Sequence, residues 1–295
     1  MIAIFLTVMV MVTAMVHLYI PPIPPLAYDW LTSFSQSVPI HYPPWTVFVV
    51  GLLNWPLLCG VTMGAVACAV FKHRGHLVSS AAAMLSLPVW WTLLTGQLDG
   101  VVLLGLLYLP YAMPLALLKP QIAIFGILTQ RKHVIVLVVV LVISFAVWGL
   151  WPLNFNNVNT QDGHTGYGVH PRQISLGLLG IPVGVVLLWL SRGDPEMMML
   201  ASSMCTPYWL FYNLLPAIPA IARLKPRHAI VAAVLSWLPF SATWLGPAGW
   251  WFMWLFVGWL WYCLYQQRES HDVQQLWERF QPIALRRLHQ WQNLK

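Results

Sequence analysis

The chain has 295 residues, 59 % of them from the apolar set AVILMFWYC and 8 % charged, with a mean hydropathy of +0.69 and a net charge of +7. A soluble globular protein carries about 25 % charged residues, so this chain could not clothe a water-facing surface. The composition excludes a soluble enzyme, a disordered chain and a nucleic-acid-binding domain, and it predicts an all-α, polytopic transmembrane helical bundle.

A hydrocarbon core about 30 Å thick needs roughly 20 apolar residues per crossing. The apolar runs are 2–20, 45–71, 77–95, 100–117, 121–129, 134–152, 175–191, 197–222, 228–244 and 247–265. The first lacks a basic n-region and reads as an uncleaved helix rather than a signal peptide. Run 121–129 is too short to cross alone, and 197–222 is interrupted by Pro207, Pro216 and Pro219. Because proline removes a backbone donor and kinks a helix, broken or re-entrant segments are expected near 110–121 and 205–219. In lipid such segments must be buried in protein or line a cavity. About nine helices result, in one domain over 1–265. The remainder, 266–295, reads as a basic amphipathic tail on the inner leaflet: Leu276, Phe280, Ile283, Leu288 and Trp291 interleave with Arg279, Arg286, Arg287 and Lys295.

Orientation follows from the basic residues, which collect on the cytoplasmic side. Lys72, Arg74, Lys119, Arg131, Lys132, Arg192, Arg223, Lys225, Arg227 and the tail can all face one side, which places 14 of the 15 Lys and Arg in the cytoplasm and leaves Arg172 outside. Both termini are then cytoplasmic, and the expected location is a bacterial inner membrane. Tryptophans at run ends, among them Trp45, Trp148, Trp151, Trp250 and Trp251, fit an aromatic belt. The cysteines Cys59, Cys68, Cys205 and Cys263 lie in apolar runs without a CxxC spacing and read as packing residues.

This topology leaves Asp29, Asp99 and Asp162 as the outward carboxylates. A carboxylate at the membrane boundary is costly unless paired or wet, which makes it a functional candidate. Asp162 lies in NTQDGHTG and reads as a loop residue, while Asp99, just before the run that starts at Val101, could equally serve as a turn or helix N-cap. Position alone leaves Asp29, in AYDWLTSF, open between the two readings. His170 and Arg172 precede the helix starting near 175 and could form an anion site or touch lipid headgroups. No HExxH or DxD pattern occurs, so no divalent-metal site is expected.

The stretch TGQLDGVVLLGLLYLPYAMPLALLKPQIAIFGILTQRKH at 95–133 resembles integral-membrane glycosyltransferases of the GT-C superfamily, in particular the bacterial family 87 group. Two further pieces resemble that family in the same order: HYPPW at 41–45, an aromatic-Pro-Pro element closing the first outer loop, and TPYWLFYNLLPAIP at 206–219. The resemblance implies a GT-C-like fold and inverting, metal-independent transfer of a sugar from a polyprenyl-phosphate donor to a hydroxyl of a glycan or lipid acceptor on the outer face. No cofactor is implied beyond that donor substrate. It implies Asp29 as general base, with Gln97, Asp99, His170 and Arg172 binding substrate. The first outer loop, about 21–44, is shorter than in most members. The alternative is a non-enzymatic polytopic protein, either a lipid-linked carrier or flippase, which should show a polar path through the midplane, or a helical subunit of a membrane complex, which needs nothing beyond apolar helices.

Overall fold

The computed structural model describes residues 1–21, 26–34, 42–154, 180–206 and 209–269, and every regular element among them is helical. His170, Arg172, Asp162 and the tail from 270 onward lie outside the described residues. Among the described residues, five continuous helical stretches, 2–19, 55–72, 77–95, 131–148 and 226–269, are long and apolar enough to cross a membrane; the third and fifth are divided below into shorter elements.

Helix α1 (Ile2–Tyr19) lies along α3 (Trp55–Lys72). The two backbones meet at the glycines of GVTMG: a Cβ on Gly60 would fall 2.1 Å from Thr13 Oγ1 and 2.5 Å from the Met9 carbonyl. Small residues four apart allow such close approach between apolar helices. The rest of α1 is exposed, including Leu6, Val10, Met11 and Leu18. Contiguous apolar faces of this kind are uncommon on soluble monomers.

Run 45–71, which hydropathy presents as one span, is two helices. The short α2 (Thr46–Gly51) ends before Asn54, whose side chain caps α3 by accepting the Leu57 N–H at 2.9 Å. Next come α4 (Leu77–Met84) and α5 (Leu87–Thr95), with Ser86 between them and Pro88 in the first turn of α5.

The run 100–117 reads as an ordinary span, but it folds back on itself, and this is where the break expected near 110–121 falls. Helix α6 (Asp99–Leu107) runs nine residues, the chain turns over 108–112, and α7 (Met113–Ala116) returns alongside. At about 1.5 Å per residue, α6 is about 13 Å long, roughly half a hydrocarbon core. The arms touch at Gly105, where a Cβ would sit 2.2 Å from the Ala116 nitrogen. Trp45 holds the returning arm by donating its indole N–H to the Pro114 carbonyl at 2.9 Å, and it packs edge-on to Trp151. Trp45 and Trp151 are therefore buried clamps of the hairpin and not belt residues, because each ring has an interior partner. Trp148 and Trp251 remain exposed.

Helix α8 (Pro120–Ile127) and the long α9 (Arg131–Trp148) follow, then α10 (Gly180–Leu190) and α11 (Pro195–Cys205). Run 197–222 breaks after Cys205, as its prolines predict. Its second half, Phe211–Arg223, is a 3-10 helix with Pro216 and Pro219 inside. A three-residue turn puts positions i and i+3 on one face, which suits the PAIPAI repeat. This segment crosses the middle of the bundle, with Leu214, Leu215, Ile218 and Ile221 fully buried against α4, α5, α6, α8 and α11. The last two runs form α12 (Pro226–Trp237), tight turns over 238–252 and α13 (253–269).

Candidate functional site

Asp29 sits on a helical turn that follows α1. Its neighbour Ala27 donates its backbone N–H to the Leu94 carbonyl of α5 at 2.6 Å, and Trp30 is buried beside it. These contacts fix the turn against the end of α5, from which Gln97 projects. The Gln97 amide Nε2 donates to Asp29 Oδ2 at 2.7 Å.

Beyond Gln97 lies a closed network. Lys119 Nζ donates to Gln97 Oε1 at 2.7 Å and to Asp99 Oδ2 at 2.6 Å. Asp99 Oδ1 accepts from Asn213 Nδ2 at 2.8 Å, and Asn213 Oδ1 accepts the Leu210 N–H at 2.9 Å. Asp99 is 0 % exposed and Lys119 4 %. Asp99 opens α6, so the unsatisfied N–H groups of the first turn add favourable potential to its carboxylate. Lys119 arrives beside it only because the hairpin returns the chain to its starting point.

The ammonium of Lys119 also lies 5.0 Å from the centre of the Tyr212 ring and 5.9 Å from that of Tyr42. Both rings present π faces that favour a cation. Burial pushes the Tyr42 hydroxyl well above the usual phenol range, and the negative charges of Asp99 and Asp29 push it further. Tyr42 therefore stays protonated next to two carboxylates.

Charge counting locates the surplus negative charge of the cluster. Two aspartates face one lysine, and Asp99 takes the lysine as its ion-pair partner. The surplus negative charge falls on Asp29, which is part-exposed. Among the described residues, Asp29 Oδ1 has no hydrogen-bond donor, while Oδ2 is held by Gln97. A carboxylate positioned through one oxygen and open at the other has the form of a general base.

Of the candidate residues, Asp29, Gln97 and Asp99 are brought together; His170 and Arg172 lie outside the described residues. Lys119 departs from the sequence reading. It is not one of the water-facing cytoplasmic basic residues but is buried in an ion pair, because α6 and α7 fold back as a hairpin. Tyr42, Tyr212 and Asn213 were not singled out in the sequence. Their signal lies in the motif stretches: Tyr42 in HYPPW, Lys119 in the K-P pair, and Tyr212 and Asn213 in TPYWLFYNLLPAIP. Three segments separated in the chain thus converge on one cluster.

Comparison of the chain with protein-family models, with characterised proteins and with solved structures finds no match.

Proposed function

We propose that this chain is an integral-membrane glycosyltransferase of the GT-C type, transferring a sugar from a polyprenyl-phosphate donor with inversion. The observation that carries the reading is the convergence of the three motif stretches beside Asp29: Gln97, Asp99 and Lys119 from the second, Asn213 from the third, and Tyr42 of the first against the Lys119 ammonium. The membrane setting is supported by the exposed apolar faces of α1 and α9, such as Val138, Val142 and Val147. Orientation is supported by the basic ends: Lys72 closes α3 and Arg131 opens α9, at the end of the bundle away from Asp29. The Asp29 end then faces outward.

In the reaction, Asp29 Oδ1 takes the proton of an acceptor hydroxyl as that oxygen attacks the anomeric carbon. The new C–O bond forms on one face while the bond to the lipid phosphate breaks on the other, and the phosphate leaves with the electron pair. A phosphate leaves readily, so hydrogen-bond or cationic stabilisation suffices without a metal; His170 and Arg172 are the candidates. Lys119 and Asp99 are positioning residues, which hold Gln97 and through it Asp29.

The test is transfer from a panel of prenyl-phosphate sugars in membranes, comparing the wild type with Asp29→Asn. The variant keeps the Gln97 contact geometry but cannot accept a proton. It should insert normally and lose transfer on the order of 10²–10⁴-fold. Undiminished transfer would overturn the assignment.

A further inference from the structure

At the end of the bundle away from Asp29, a cavity of about 400 Å3 opens between the start of α12 and the last turns of α13. Two hydrogen bonds hold the walls together. Trp259 donates its indole N–H to the His228 carbonyl at 3.2 Å, and Gln267 donates its side-chain amide to the Arg223 carbonyl at 2.9 Å. The floor is apolar, formed by Leu224, Trp259 and Cys263, with the His228 ring edge-on to Trp259 at 5.8 Å. The rim carries Lys225, His228, Tyr262 and Gln266, whose side chains make no hydrogen bond or ion pair among the described residues.

Charge at this end is not balanced. Arg223 binds Asp194 and Glu196 at 2.8 and 3.1 Å, and Arg192 and Arg268 stand 3.8 and 3.7 Å from Glu269. Three guanidinium groups thus meet three carboxylates, and Lys225 and Arg227 are in excess. Among the described residues, no carboxylate lines the cavity. The chain beyond α13 does not supply one in surplus, because 270–295 sets Asp272 and Glu278 against Arg279, Arg286, Arg287 and Lys295. The unsatisfied N–H groups that open α12 add to the positive potential.

An occupant of this groove meets cations and donors at the rim and an apolar floor behind them. A free anion would answer the rim and leave the floor wet. A neutral lipid would cover the floor and leave the charge unanswered. We infer that the groove between α12 and α13 binds one anionic phospholipid, with its phosphate on Lys225 and His228 and its first chain carbons over Trp259 and Cys263. A neutral imidazole still offers one N–H for this purpose. Exposed apolar surface continues away from the rim: Tyr262, Gly258 and Leu255 follow at helical spacing along α13, and a Cβ on Gly258 would meet nothing within 4 Å. That strip gives an acyl chain a path along the bundle. Basic pockets between spanning helices on the cytoplasmic side are suited to such head groups, and this is the end where the basic residues gather. The inference rests on the membrane setting of the chain and not on the transferase reading.

The test uses the full chain purified in neutral detergent and titrated with phosphatidylglycerol or with phosphatidylcholine of the same acyl chains. Native mass spectrometry counts the retained lipids and gives their Kd. Wild type should hold one phosphatidylglycerol roughly tenfold more tightly than phosphatidylcholine, as two uncompensated cations at a membrane surface supply. Lys225→Ala should weaken phosphatidylglycerol roughly fivefold and leave phosphatidylcholine unchanged, and Lys225→Arg should restore it. His228→Phe keeps a ring against Trp259 but no donor, and should cost roughly threefold. Lys132→Ala removes an exposed cation of the same end that lies outside the groove, and should change nothing. Lys225 is itself exposed, so its variants probe the site without disturbing the core. Equal affinity for the two lipids would overturn the proposal. Equal losses in Lys225→Ala and Lys132→Ala would do the same, by showing a diffuse surface charge in place of a site. Displacement of phosphatidylglycerol by inorganic phosphate at comparable concentration would overturn the lipid assignment.

Discussion

The Asp99–Lys119 pair and the Glu196–Arg223 pair lie at opposite ends of the same bundle and are built differently. The first is sealed: Lys119, Asp99, Gln97 and Asn213 bind one another, and only Asp29 reaches the edge. The second keeps 15 % of Glu196 and 24 % of Arg223 exposed and stands beside a cavity of about 140 Å3. In a medium of low dielectric, a closed network fixes geometry because each member's alternative is an unpaired buried group. An open one leaves its members within reach of water and freer to move.

The comparison breaks most visibly if the sealed end tolerates loss of a member. Lys119→Ala leaves the Asp99 carboxylate buried without its cation and should cost about 3–5 kcal/mol in denaturation of the detergent-solubilised protein. Replacing both partners, as Asp99→Leu with Lys119→Met, should recover part of that stability while leaving transfer abolished. Equal losses in the single and double variants would show that the pair is not held as a unit. Next in size is the hairpin that joins the pair. Gly105→Ala drives a methyl into the Ala116 backbone and should cost about 1–3 kcal/mol and lower transfer. Gly258→Ala on α13, where nothing lies within 4 Å, should instead stabilise by about 0.5–1 kcal/mol.

The open end should respond to acid. Burial alone would raise the Glu196 carboxyl, but the His73 hydrogen bond and the charges of His73 and Arg223 outweigh it and hold the group down at about 2, below its ordinary 4.5. A carboxylate depressed in the folded state contributes stability above its unfolded value and loses it as pH falls through the folded one. Thermal melts between pH 6 and pH 2 should therefore fall more steeply for wild type than for Glu196→Gln, the difference growing below pH 4.5. The smallest effect belongs to Arg192 and Glu269, 3.8 Å apart with 62 % and 35 % of their side chains exposed. Arg192→Ala should change stability by less than about 1 kcal/mol in the same denaturation assay.

Hydropathy and the prolines made the helical class and the breaks near Pro110 and after Cys205 legible, because proline's missing N–H acts locally and shows in one dimension. It did not reveal that the segment after α6 turns back. Pro110 and Pro114 mark an interruption, yet nothing in the period of an all-apolar stretch says whether the chain continues or reverses. Lys119 was misplaced for that reason: a lysine between two apolar runs looks like a boundary residue until its partner 20 positions earlier is folded against it. Asn213 and Tyr212 were harder still, since their role depends on a residue 114 positions away. Asp29 and Asp99 stood out more readily, because charges are scarce in this chain, while Gln97 came only through the resemblance of the stretch around it. The cavity around His133 had no one-dimensional signal at all, its walls coming from five separate helices and the 3-10 segment.

The sequence separations within the sealed cluster also dictate an order of assembly. Asp99 is synthesised 20 residues before Lys119 and 114 before Asn213. The ion pair can close within a nascent hairpin, long before the ribosome has made the 3-10 segment that completes it. Asn213 then acts as a late latch, arriving after α8 through α11 and fastening the hairpin to the centre of the bundle. A chain truncated before Phe211 would carry the charge pair but not its final clasp, so the C-terminal third is what converts an early local contact into a permanent one.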